Sequence, residues 1–188
     1  LTEEARRAQF TNEGGIGGKI TFLQNITGLW FLQRLMAEWA DEGDEQQYEP
    51  LLAAAERAAT QTGIPVDAPE FQNPKSMQQA IRGYCERQAL DVPQTKADLT
   101  RVVLQSLAAK YAEATQALNA MLPEPIKKLH IIGGGSQNKL LNRLTQQALG
   151  IPVEAGPVEA TAIGNILTQA LAKGEGADIH EMRSIAIV

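Results

Sequence analysis

The sequence predicts a helix-rich α/β fold. Three observations predict it. Helical apolar periodicity covers most of the 188 residues. Two short extended runs near the C-terminal end flank one helix, as in a right-handed βαβ unit. A strand, three glycines and a helix start follow one another in Leu129-His-Ile-Ile-Gly-Gly-Gly-Ser-Gln-Asn138. Hydrophobic residues make up 44% of the chain and charged residues 21%, enough apolar side chain for a real core. No internal repeat and no linker between two cores is evident, so one domain over residues 1–188 is expected.

The elements follow in order. Thr2 caps a short helix from Glu3 to Ala8. Phe10 to Phe22 reads as two extended segments around a glycine turn. From Ile26 the spacing Ile26, Leu29, Trp30, Leu32, Met36 predicts a helix to about Ala40, with Asn25 as its N-cap and Gly28 in its first turn. Asp44-Glu45 opens an alanine-rich helix from Gln46 to Ala59, with Gly63 and Pro65 beyond it. Pro65, Pro69 and Pro74 mark a loop, and Lys75 to Gln88 is a further helix. Thr95-Lys-Ala-Asp98 resembles a capping box with Asp in place of Glu or Gln. It opens a long helix whose apolar face carries Leu99, Val102, Val103, Leu107, Tyr111, Ala112 and Leu118, stopped by Pro123 and Pro125. A buried strand then leads through the glycines into a helix with an open N-terminus, bearing Leu140, Leu141, Leu144, Ala148 and Leu149. Ile151 to Ala155 is a second strand, Val158 to Ala172 a helix ended by Gly174, and Asp178 begins a last helix. The chain starts at Leu1 and stops in mid-pattern at Ile185-Ala-Ile-Val188, so a fragment of a longer protein is expected.

Composition removes several function classes. The formal net charge is −5 and no basic block occurs, which argues against nucleic acid as a partner. No apolar run approaches the ~18 residues of a membrane span, and no secretory signal is visible. Cys85 is the one cysteine, so there is no disulfide framework and a cytoplasmic location is expected. Two histidines and one cysteine, far apart, give no zinc pattern, and no metal ligand set is expected.

The chemistry concentrates at Gly133, Gly134, Gly135 and Ser136. Glycines let a ligand approach the backbone, and a helix N-terminus with unpaired N–H groups suits a phosphate. A nucleotide is the first ligand this predicts. The run is no Walker A loop, because the closing Gly-Lys-Ser/Thr is missing. Gly133 and Gly135 partly fit a dinucleotide fingerprint in which Asn138 replaces the third glycine and Glu154 stands for the ribose-binding acid. A dinucleotide-binding oxidoreductase is therefore a rival. Ala160, Ala162 and Gly164 would let the next helix pack closely on a neighbour or a ligand. His130 reads as a core or edge residue, and Trp30 and Trp39 as packing residues. Cys85 has no partner for nucleophilic use. No complete acid–base or nucleophilic constellation is found.

Four segments carry a family resemblance: Thr11-Asn-Glu-Gly-Gly15, Leu23-Gln-Asn-Ile-Thr-Gly-Leu-Trp-Phe-Leu-Gln33, Ile131-Ile-Gly-Gly-Gly-Ser-Gln-Asn138 and Ala155-Gly-Pro-Val-Glu-Ala-Thr-Ala-Ile-Gly-Asn165. With Asn73-Pro-Lys-Ser-Met-Gln and the helix from Thr100 to Tyr111, they resemble the FGGY carbohydrate kinases, specifically the branch acting on L-rhamnulose. The resemblance implies a ribonuclease-H-like, actin-like ATPase domain, here most of the C-terminal, nucleotide-side domain, its sheet incomplete because the chain is truncated. It implies Mg²⁺ and ATP as cofactors, L-rhamnulose phosphorylated at its 1-hydroxyl, and the N-terminal domain of the same protein as partner. By the same match Asn25 contacts the sugar, Gln33 contacts ATP and Gly134 packs on the nucleotide. Gly133, Gly135 and Ser136 support that turn. The phosphate loop, the catalytic aspartate and the Gly-Thr-Trp-Ser stretch of the family would lie before Leu1. No catalytic residue is thus expected here, and the piece alone should be inactive. A xylulose or fuculose kinase, or a non-catalytic actin-like nucleotide module, stays open.

Overall fold

A computed structural model describes residues 1–175, 178, 180, 181 and 184. Its elements are helix-rich α/β, as expected, and fall into two units, Leu1–Ile126 and Lys127–Val188.

In the first unit, α1 (Glu3–Arg7) starts where Thr2 predicts, with the Thr2 hydroxyl accepting from Ala5 N–H at 3.1 Å. Strands β1 (Thr11–Gly14) and β2 (Ile20–Leu23) pair antiparallel around the glycine turn, and Phe10 stacks on Phe22 at the open end. Helix α2 (Trp30–Asp41) begins four residues later than the apolar spacing implied. Leu29 is its N-cap position, so Asn25 is not a helix cap and Gly28 lies before the helix rather than in its first turn. The residues from 24 to 29 instead form a connection, pinned where Gln24 Nε2 donates to the Ala8 carbonyl at 3.0 Å.

Helix α3 (Tyr48–Arg57) is shorter at both ends than the alanine content suggested. A single 3₁₀ turn (Pro69–Phe71) interrupts the proline-rich loop and delivers Phe71 to the core. Helix α4 (Met77–Arg87) is capped by Ser76, and α5 (Lys96–Met121) by the full capping box of Thr95 and Asp98. The core gathers Phe31, Leu35 and Trp39 of α2, Leu51 and Ala55 of α3, Met77 and Ile81 of α4, and Leu99 to Leu107 of α5. Phe71 meets Phe31 edge-on at 5.7 Å and Tyr84 at 5.5 Å. The first half of α5 is buried nearly all round, so its polar residues need internal partners. Thr100 donates back to Lys96 O, and Ser106 donates to Val102 O while accepting from Ile64 N–H. Of the face expected on α5, Tyr111 and Leu118 are only half-buried. Cys85 is fully buried and burial pushes its thiol pKa up, which fits an inert side chain.

A carboxylate on α2 does unexpected work. Glu38 accepts from the Ser76 hydroxyl (2.9 Å) and the backbone N–H groups of Met77 (2.5 Å) and Gln78 (3.3 Å). It thus serves the free amides at the start of α4 from another helix, where negative charge is favoured. Arg34 reaches the Pro74 carbonyl from the same helix and lies over the Trp30 ring.

In the second unit, β3 (Leu129–Ile131) and β4 (Val153–Ala155) pair in parallel with α6 (Lys139–Leu149) between them, the expected βαβ order. The buried strand expected at 129–132 is only half-buried, and Ile132 is 56% exposed. Among the described residues this sheet has two strands, which cover too little of each face to bury its residues. Leu140, Leu141 and Leu144 are buried as expected, while Ala148 is exposed. Gly150 ends α6 in the left-handed region. Helix α7 (Ala160–Ala172) carries no buried residue, and a Cβ on Gly164 would meet nothing. Its small residues therefore serve no close packing among the described residues. Of the last expected helix, Asp178, His180, Glu181 and Ser184 are described, with Asp178 accepting from the N–H groups of His180 and Glu181. The run Ile185 to Val188 lies outside the described residues.

Candidate functional site

The glycine turn is built from both sides. Gly133 sits at φ 78°, ψ −170°, a region essentially reserved for glycine. Its N–H donates to Pro157 O at 3.0 Å, and Gly156 N–H donates to Ile131 O at 2.8 Å, which ties the ends of β3 and β4 together. The chain then makes one 3₁₀ turn, Gly134–Gln137, with Ser136 N–H bonded to Gly133 O and Asn138 N–H to Gly135 O. Gly133, Gly134, Gly135 and Ser136 thus lie on one tight turn after β3.

The glycines differ in why they are glycine. Gly133 is needed for its backbone conformation. Gly134 is not: its φ lies outside the left-handed region, and an added Cβ would meet no atom within 4 Å. Open space at Gly134 is what close approach of a ligand to the backbone requires.

The helix after the turn is not open in the way expected. Helix α6 begins at Lys139, and Asn138 caps it, its Oδ1 accepting from Leu141 N–H at 2.9 Å. That carboxamide occupies one of the donors a phosphate would have used. The backbone groups left open at this end of β3 are therefore those of the 3₁₀ turn. Asn142, in the first turn of α6, donates from Nδ2 to the Ser136 carbonyl at 2.9 Å. Ser136 Oγ, Asn142 Oδ1 and Thr145 Oγ1 are buried and make no hydrogen bond among the described residues. The Asn138 cap was open to reading, since Asn commonly precedes a helical apolar run. The Asn142 bond obeys no local spacing rule and was missed.

Asn25 and Gln33 belong to the first unit. Asn25 is exposed in the connection before α2, and its side chain makes no hydrogen bond among the described residues. Gln33 lies in the first turn of α2, its N–H bonded to Leu29 O and its side chain on the exposed side opposite Phe31, Leu32 and Leu35. Two free carboxamides, able to donate and accept, are suited to hydroxyls or a purine edge.

Glu154, the acid of the dinucleotide reading, takes part in an exposed ion pair. Glu154 on β4 pairs with Lys128 Nζ at 2.6 Å, and its other oxygen lies 3.6 Å from His130 Nδ1. The Lys128 bond holds the Glu154 carboxyl below its usual pKa. His130 is exposed on the strand, an edge residue as expected. Among the described residues no group of three or more His, Cys, Asp or Glu side chains is placed to hold a metal ion. No helix there is long and apolar enough to cross a membrane.

Comparison with known proteins gives the family. The profile of the FGGY family of carbohydrate kinases, C-terminal domain, matches residues 1–173. A protein of Bacteroides thetaiotaomicron named rhamnulokinase is 43% identical over 186 residues, 98% of this chain and 38% of its own length. Rhamnulokinases of Pectobacterium carotovorum (43% identical; 96% of this chain, 36% of theirs) and Yersinia pestis (40%; 97% and 37%) match likewise. The chain thus spans well under half the length of these relatives. They do not favour an oxidoreductase.

Proposed function

The chain belongs to the FGGY family of carbohydrate kinases, within that family's C-terminal domain, and we propose that it is the nucleotide-side part of an ATP-dependent kinase that phosphorylates L-rhamnulose at its 1-hydroxyl. The observation that carries this reading is the match along 98% of the chain to a protein named rhamnulokinase. Both units are parts of one ribonuclease-H-like, actin-like domain, and its partner is the N-terminal domain of the same protein. The enzyme is cytoplasmic.

Each proposed role has a physical warrant. Asn25 hydrogen-bonds a ketose hydroxyl, supported by its exposed and unpaired carboxamide. Gln33 meets ATP from the exposed side of α2. Gly134 packs against the nucleotide, supported by the open space where its Cβ would stand. Gly133, Gly135 and Ser136 shape the turn. Mg²⁺ comes with the nucleotide and neutralises phosphate charge when bound; no carboxylate cluster among the described residues offers it a seat. What this chain does is bind and orient, because phosphoryl transfer depends on positioning and charge stabilisation. The general base lies elsewhere in the full-length protein, so this chain alone turns over no ketose.

The test is a ketose panel. The full-length protein is given Mg-ATP with L-rhamnulose, xylulose or fuculose, and ADP release is followed. L-Rhamnulose is expected to have the highest kcat/KM. Preference for another ketose would move the protein to a sister activity within the family. Binding of NAD in place of ATP would revive the oxidoreductase reading.

A further inference from the structure

The shape of the glycine turn rests on few bonds. Two are local, Ser136 N–H to Gly133 O and Asn138 N–H to Gly135 O. The Ser136 carbonyl is held from outside the turn by one side chain, Asn142, at 2.9 Å. That bond fixes the peptide plane following Ser136, and with it the direction of the turn that presents Gly134.

Asn142 is a poor choice for stability alone. Its Oδ1 is buried with no partner among the described residues, as is the nearby Ser136 Oγ. A buried acceptor left unpaired costs free energy, while an apolar side chain of similar size carries no such cost. The position lies between Leu141 and Leu144, both buried, so leucine would suit the helix and its packing. What leucine cannot do is donate to the Ser136 carbonyl.

We propose that Asn142 is a positioning residue for nucleotide binding, holding the glycine turn through the Ser136 carbonyl. This rests on the reading that the turn receives ATP. Asn142 touches no substrate. It orients the backbone that does, and its effect falls on the nucleotide and not on the ketose.

The experiment compares Asn142→Leu and Asn142→Asp with the parent in the full-length enzyme, beside Gly134→Val. Asn142→Leu is expected to raise KM for ATP about three- to tenfold, the worth of one hydrogen bond. KM for the ketose and kcat should stay within about twofold, and any fall in Tm should be small, because the Ser136 carbonyl loses its donor while the orphaned Asn142 Oδ1 is removed. Asn142→Asp should raise KM for ATP further, since it sets a carboxylate against a carbonyl oxygen. Asn142→Gln, which keeps the donor, should recover part of the loss. A normal KM for ATP in Asn142→Leu beside a damaged Gly134→Val would overturn the inference and leave the nucleotide reading intact. An unchanged KM for ATP in Gly134→Val would overturn the nucleotide reading and the inference together. A lower Tm with both KM values raised alike in Asn142→Leu would make Asn142 a structural residue only, against the proposal.

Discussion

Two adjacent glycines respond to alanine in opposite ways. Gly133 holds φ 78°, ψ −170°, where a Cβ costs about 1–3 kcal/mol. In a chain of this size that lowers the Tm by about 2–12 °C. Gly134 needs no special backbone conformation, and its Cβ would stand in open space. Alanine there restricts the unfolded chain and adds about 0.4–1 kcal/mol of stability. The Tm of Gly134→Ala should therefore hold or rise by about 1–4 °C. Binding behaves differently. If a nucleotide packs on Gly134, the added methyl intrudes on a filled contact, at a cost of about 1–3 kcal/mol by analogy with overpacked interiors. That is about a 5- to 150-fold rise in the Kd for ATP, and more for Gly134→Val. The assay is calorimetric titration of the full-length protein with Mg-ATP, beside thermal unfolding of each variant of the 188-residue chain. Unchanged ATP affinity in Gly134→Ala would remove Gly134 from the site. Equal loss of ATP and ketose affinity with a falling Tm would point to local unfolding and refute the steric argument.

Other substitutions separate binding from stability. Asn25→Ala should raise KM for L-rhamnulose by the worth of a hydrogen bond, about 0.5–1.5 kcal/mol or roughly 2- to 12-fold. Its Tm should not change, because Asn25 caps no helix; a lower Tm with normal kinetics would contradict the assigned contact. Glu38→Ala removes an acceptor shared by Ser76, Met77 and Gln78 and should cost about 1.5–3 kcal/mol, read as a Tm fall of about 3–12 °C. Unchanged unfolding would show that water replaces the carboxylate without loss. Asp98 tests the capping box by pH. The Thr95 backbone N–H, with help from the Thr95 hydroxyl and Gln94 N–H, holds its carboxyl below the usual aspartate range. A depressed folded pKa gives stability that is full above the unfolded pKa of about 3.9 and is lost as pH falls through the lower folded value. The Tm gap between the parent and Asp98→Asn should be constant at neutral pH and close below about pH 4; a gap independent of pH would argue against the charge.

Local rules carried much of the reading. Thr2 and Thr95 act through hydroxyls three residues from their targets, so both helix starts were legible. The β1–β2 hairpin and the β3–α6–β4 order were likewise marked by glycines and period changes. The start of α2 was misplaced because Ile26 and Leu29 continue the helical spacing into a connection held by Gln24. Burial of β3 was overestimated because an apolar run does not say how many strands flank it. The Glu38 bonds to α4 span about forty residues, and Asn142 reaches back six positions; neither leaves a mark in local sequence. The same holds for Gly133 and Gly134. They are one letter in the sequence, and only φ and the space around each separate the conformational glycine from the one that leaves room for a ligand.

The proposed reaction is phosphoryl transfer from ATP to L-rhamnulose. ³¹P NMR of the full-length protein with Mg-ATP and L-rhamnulose tests it most directly. A phosphate monoester on carbon 1 of the ketose, growing in step with ADP, is expected. Inorganic phosphate rising in place of the monoester, or ATP left intact while the sugar is present, would contradict it.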